Sequence, residues 1–171
     1  MEHVSLRQWR DSDYGPYAAM NCDPEVMRYF PSPLTREQSD ASLDRQRGLI
    51  EQRGWGLWAL DVDGEFAGFV GLAVPAFESS FTPCVEAGWR LRREYWGRSI
   101  AYRGALHTLD HAFGILGLPE VVTYTAEVNL PSRRLMERLE FVRDLRGDFD
   151  HPLVAEGHVL RSHVLYRKKA P

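Results

Sequence analysis

Residues 91–101, LRREYWGRSIA, place Gly97 and Ser99 among arginines just before a run with helical periodicity. Small residues at such a point let successive backbone N–H groups turn toward one spot. There the unpaired amides and the positive end of the helix dipole attract phosphate. Arg93, Arg98 and Arg103 are spaced to add charge-assisted hydrogen bonds to phosphate oxygens. The same residues also suit an ordinary strand–helix turn with solvated arginines. The turn has no Gly-Lys-Ser/Thr ending, which excludes a nucleotide-hydrolysing P-loop, and no G-x-G-x-x-G, which argues against a dinucleotide fold. Neither absence touches a carrier that presents a pyrophosphate, such as coenzyme A.

A strand must deliver the chain to this turn, and a helix must leave it. Val85, Ala87, Trp89 and Leu91 alternate with Glu86, Gly88 and Arg90, which predicts a strand with one apolar face. From Ser99, Ala101, Ala105, Leu109, Ala112 and Leu116 recur at helical steps, with Arg103, His107, Asp110 and Gly114 opposite, until Gly117 and Pro119 stop the helix. Upstream, residues 4–9 read as a first strand and 13–21 as a short helix. Asp23-Pro24 opens a helical turn through Phe30, and Thr35-Arg36-Glu37-Gln38 has capping-box spacing for a helix to about Gln52. Residues 57–62 and 66–74 around Asp63-Gly64 predict a hairpin. Downstream come strands at 121–125, 141–145 and 163–167, with a short helix at 132–139. No repeat or linker divides the chain, so residues 1–171 read as one α/β domain.

At these residues the chain becomes familiar. YWGRSIA resembles the acyl-coenzyme A signature R/Q-x-x-G-x-G/A of the GNAT N-acetyltransferase superfamily. Asn129-Leu130-Pro131-Ser132, followed by a short helix and Glu140-Phe141, resembles the second signature of its Rim-type branch, the ribosomal-protein N-terminal acetyltransferases. Element order and the closing His-Val-Leu-Tyr-Arg are similar too, so the resemblance covers nearly the whole chain. It implies a mixed central sheet of six to seven strands flanked by about four helices, acetyl-coenzyme A as cosubstrate and no metal. Three departures stand out. Trp96 replaces arginine or glutamine, as is normal in the branch. Ser99 replaces the signature glycine, and Glu140 replaces the glycine after the short helix, which strains any position that needs φ > 0.

The resemblance also implies roles. Trp89, Leu91, Arg93, Trp96, Gly97, Arg98, Ser99, Ile100, Ala101, Asn129 and Ser132 are the expected coenzyme A contacts. Amides near Ala87 to Trp89 would polarise the thioester carbonyl. The position where many relatives carry a proton-donating tyrosine holds Met136, so Ser132 becomes the hydrogen-bond donor to the leaving thiolate, unless it serves as a helix cap. Attack on a thioester needs a neutral amine, hence a proton acceptor. Glu86 is the candidate base; Glu127, His151, His158 and a water chain are its rivals. Glu86, Asp150, His151 and Glu156 are expected to line the acceptor pocket, with Trp55 and Trp58 as further walls or as core.

Composition narrows the partners. The chain has 171 residues, 44% of them apolar and 26% charged, enough for one soluble core. A net charge of −3 gives no basic field for nucleic acid or an acidic membrane, and so weighs against a relative that acetylates aminoacyl-tRNA. Cys22 and Cys84 show no metal or disulfide spacing, no apolar run is membrane-length, and the start lacks a signal-peptide core. A cytoplasmic enzyme acting on a coenzyme A thioester and an amine is expected, with a second copy of the chain as a further candidate partner. A non-catalytic acyl-coenzyme A sensor is the competing class.

Overall fold

The computed structural model describes residues 2–171. Strands β1 (Val4–Arg7), β2 (Leu57–Val62), β3 (Glu65–Ala73), β4 (Glu86–Leu91), β5 (Glu120–Ala126), β6 (Val142–Arg143), β7 (Phe149–Asp150) and β8 (Ser162–Lys169) form one mixed sheet. Its order is β1-β2-β3-β4-β5-β8-β6, with β7 also paired to β8. The seven strands read from the sequence all form, and the late loop adds an eighth, the two-residue β7.

Helices α1 (Tyr14–Cys22) and α2 (Arg36–Arg53) cover one face, where Tyr17, Met20, Leu43 and Ile50 pack with Trp9, Phe66 and Phe69. Helices α3 (Ile100–Asp110) and α4 (Leu130–Arg138) cover the other, around Leu60, Val70, Ala105, Leu109 and Met136. The capping box at Thr35 forms as read, with the Gln38 amide donating to Thr35 Oγ1 at 3.1 Å and the Thr35 amide to Gln38 Oε1 at 2.9 Å. Gly104 lets α3 lie tightly on the sheet, since a Cβ there would stand 2.5 Å from Leu60 Cδ1 and 2.8 Å from Val70 Cγ1. The helical turn read after Asp23-Pro24 forms, with the Met27 amide donating to the Asp23 carbonyl at 3.0 Å, and ends before Pro31 and Pro33. Phe141 and Leu145 fall outside β6, which keeps only Val142 and Arg143.

One feature of the sheet organises everything else. All neighbouring pairs are antiparallel except β4 and β5, which run parallel and pair at a single point, Glu86 with Val122. The Val122 amide donates to the Val85 carbonyl at 3.0 Å and Thr123 Oγ1 to the Ala87 carbonyl at 2.9 Å, and among the described residues the ladder between the two strands goes no further. The strands open toward their C-terminal ends, leaving a wedge whose apex is Glu86.

Candidate functional site

The wedge leads to the turn before α3. Gly97 has φ 71°, a conformation open to glycine, and Ser99 follows at φ 57°. No side chain caps the first turn of α3, so the amides that open it keep their hydrogen-bonding capacity. The arginines of this region divide. Arg93 is exposed and makes no hydrogen bond or ion pair with a described residue. Arg98 pairs with Glu2 and donates to the Glu94 carbonyl at 3.0 Å, and Arg103 Nη2 donates to the Glu2 carbonyl at 2.6 Å. Those two therefore tie down the start of the chain, where phosphate contact was expected of them. A cation the sequence reading missed also stands at this turn: Arg138 of α4 lies 4.0 Å over the Tyr102 ring and donates to Ser99 Oγ at 3.0 Å.

The other expected carrier contacts lie along the same path. Trp89 is half-buried on β4, Leu91 and Ile100 are buried, and Ala101 is half-buried in the first turn of α3. Trp96 is 44% exposed, with its indole Nε1 donating to the Leu91 carbonyl at 3.1 Å. Asn129 caps α4: its Oδ1 accepts the Ser132 amide at 3.3 Å, and its Nδ2 donates to Thr125 Oγ1 at 2.8 Å. Ser132 is thus not the cap. Its hydroxyl makes no hydrogen bond with a described residue and is half-buried beside the wedge-forming strand β5.

At the apex, Glu86 is half-buried, with no cation paired to it. Burial pushes its carboxyl up from 4.5 to about 7, against the opposing effect of the neighbouring Tyr124 hydroxyl. A base that titrates near neutrality is suited to proton transfer at physiological pH. Around it stand rings that sequence spacing did not bring together. Tyr124 lies 5.8 Å from Phe77 and 5.5 Å from Phe149, centroid to centroid. His151 lies 4.7 Å from Phe77 and 4.8 Å from His163. Burial and then the neighbouring His163 push His151 down to about 4, which leaves it neutral and only weakly basic at neutral pH. His158 is exposed, with Nδ1 accepting the Leu160 amide, and Glu127 is an exposed carboxylate 3.8 Å from Arg143. Burial pushes the Cys84 thiol up to about 11, which keeps it protonated.

The remaining acceptor candidates scatter. Asp150 accepts from Arg161 Nε and Ser162 Oγ, both at 3.3 Å, and so holds the late loop together. Glu156 is exposed and unpaired among the described residues. Trp55 lies under Arg53 and Trp58 meets His111 edge-on, so both are packing rather than pocket walls. The β5 alternation of Val122, Tyr124 and Ala126 was the available signal for Tyr124. Phe77 lies in an irregular connection, where no periodicity could flag it.

A sheet parted between two parallel strands, with an uncapped helix start at the open end, fits a pyrophosphate-bearing thioester. Residues 3–142 match the family model described as an acetyltransferase (GNAT) domain. The chain belongs to the GNAT acetyltransferase family. Acetyl-coenzyme A is the family's donor. A curated relative from Aspergillus fumigatus, "FsC-acetyl coenzyme A-N(2)-transacetylase", is 35% identical over 151 residues; these make up 82% of this chain but only 64% of that protein. A GNAT-family acetyltransferase structure from Bacillus anthracis superposes with a TM-score of 0.79 at 18% identity, covering 99% of this chain and 98% of that one. RimJ of Mycobacterium smegmatis in complex with CoA-disulfide gives 0.75 at 19% identity, covering 98% and 82%. At these identities the two structures share the GNAT fold. Among the described residues no helix is long and apolar enough to cross a membrane, and no cluster of metal-ligand side chains occurs.

Proposed function

We propose that this protein moves an acetyl group from acetyl-coenzyme A to a primary amine by direct attack in a ternary complex. The observation that carries the reading is Glu86 at the apex of the β4–β5 wedge, desolvated, unpaired by any cation and titrating near 7. When bound, acetyl-coenzyme A supplies the activated acyl group and a thiolate leaving group. Gly97, Ser99, Ile100 and Ala101 offer backbone amides to the pyrophosphate, with Arg93 adding charge and Arg98 available if its Glu2 pair opens. The edge of β4 past Ala87, where β5 has parted from it at Trp89, receives the pantetheine arm as an added strand. Asn129 holds the β5–α4 turn in shape beside it.

Glu86 takes the proton that the ammonium must lose. The amine nitrogen then forms the C–N bond as the C–S bond breaks, its second proton passing to the departing thiolate, while β4 amides polarise the carbonyl and the Ser132 hydroxyl hydrogen-bonds the sulfur. Asp150, His151 and Glu156 belong to the loop beside the acceptor face, His151 directly in the ring cluster. The Asn129–Ser132 signature favours the Rim-type branch, whose acceptors are protein N-termini; the curated relative's name specifies transfer to an N(2) nitrogen, and a small-molecule amine is the other acceptor class. Free Cys22 and Cys84 suit a cytoplasmic setting. Thiol release from acetyl-coenzyme A over a panel of peptides and small amines tests the reading. Turnover that requires an amine supports it, and tight coenzyme A binding with no turnover on any amine identifies a sensor instead.

A further inference from the structure

Arg90 stands on β4 four residues after Glu86, and strand alternation puts both on one face with Gly88 between them. Its Nη1 donates to Asn21 Oδ1 at 2.6 Å, and its guanidinium lies 4.1 Å from the Phe30 ring centroid and 5.3 Å from that of Phe69. No carboxylate pairs with it, and its Nε is buried without a hydrogen-bond partner among the described residues. Two other arginines partly withdrawn from water are balanced: Arg7 by Asp13 at 2.7 Å and Asp61 at 2.6 Å, Arg167 by Glu120 and Asp144, both at 2.7 Å. The one polar partner of Arg90 is a neutral amide, itself engaged with Ser39 Oγ at 2.9 Å. A cation taken out of water without a counter-charge is costly to the fold and is the arrangement an incoming anion relieves. Phe30, which covers the guanidinium, is 40% exposed and lies in the α1–α2 connection, so the charge sits just below the surface of the acceptor face.

We propose that the acceptor carries a carboxylate as well as its amine, with Arg90 binding the carboxylate while Glu86 faces the amine. This rests on the acetyl-transfer reading above. Strand geometry separates the two α-carbons by about 13 Å, which the two side chains shorten only in part. The amine and the carboxylate are therefore several bonds apart, as in an ω-amino acid or the side-chain amine of a basic amino acid. Gly88 between them presents no side chain to obstruct such a chain.

The test compares 6-aminohexanoate with 6-aminohexanamide, which differ in the anion alone. Binding of each to the full-length protein in the presence of coenzyme A is measured by calorimetry, and KM is measured with acetyl-coenzyme A. The acid should bind at least tenfold more tightly and show the lower KM, while the KM for acetyl-coenzyme A stays the same with either compound. Arg90→Gln should abolish the preference, and Arg90→Lys should retain part of it. The wild-type comparison stands even if a variant fails to fold. Equal affinity for acid and amide, or a preference that persists in folded Arg90→Gln, overturns the assignment. Acetylation of acid and amide at equal rates overturns the carboxylate alone, whereas no acetylation of any amine overturns the transfer reading beneath it.

Discussion

The Asn129 side chain accepts the amide of Ser132 at 3.3 Å, so the cap of α4 belongs to Asn129 and leaves the Ser132 hydroxyl uncommitted. The two roles that the sequence assigns to Ser132 are thereby separated. Ser132→Ala should leave the melting temperature nearly unchanged while lowering kcat by the equivalent of about 2–4 kcal/mol, as for loss of one oxyanion-type donor. Asn129→Ala should instead lower stability by about 1 kcal/mol. Thermal melts and steady-state kinetics on both variants make the check; wild-type kcat in Ser132→Ala would remove the serine from the reaction.

Glu86 has a raised folded-state value, the reverse of the usual carboxylate. Activity should climb as pH rises through about 7 and the base loses its proton. In Glu86→Gln that limb should vanish and kcat/KM fall by about 10²–10⁴. Stability runs the other way. Between the unfolded value of 4.5 and the folded value of about 7, the folded state holds a proton that the unfolded state has released, so stability falls as pH rises. The loss is about 3 kcal/mol at most. Glu86→Gln should therefore melt higher than wild type at pH 8 and lose that advantage by pH 5, which a pair of pH-dependent melting curves will show.

The turn before α3 separates its arginines by their partners. Arg93→Ala should weaken coenzyme A binding by about tenfold, the worth of a charge-assisted hydrogen bond, with Arg98→Ala costing less because Arg98 is held by Glu2. Gly97→Asp should weaken binding by well over tenfold. A Cβ at Gly97 meets no atom within 4 Å, so crowding inside the fold plays no part; like charge at the phosphate position and the strain of a side chain at φ 71° both contribute. Calorimetric titration of the three variants ranks them, and an Arg98 effect larger than that of Arg93 would reverse the assignment.

Glu140 has φ 63°, the left-handed conformation that its replacement of a signature glycine made suspect. Its ion pair with Lys168, at 3.1 Å, is largely exposed and contributes little. Glu140→Gly should stabilise the chain by about 1 kcal/mol, read as a higher denaturation midpoint with unchanged kcat. A lower midpoint would show that the ion pair outweighs the strain.

The sequence by itself determined what local rules carry: the small-residue turn at Gly97, the capped start of α2, the Asp63-Gly64 hairpin and the alternation that sets Glu86 and Arg90 opposite Ala87 and Leu91. Each depends on residues within a few positions of one another, where period and turn chemistry act. Only the tertiary structure decided the partners. Arg98 meets Glu2 across 96 residues, Arg138 reaches Ser99 across 39, and Tyr124 comes beside Glu86 from a different strand. Whether an arginine is free for phosphate or a carboxylate is desolvated depends on which distant chain segment packs against it. A hydrophobic pattern fixes which face of a strand is buried, but carries no term for what that face will meet. The wedge between β4 and β5 is of the same kind, since it exists only because two parallel strands distant in the chain pair at one point and then part.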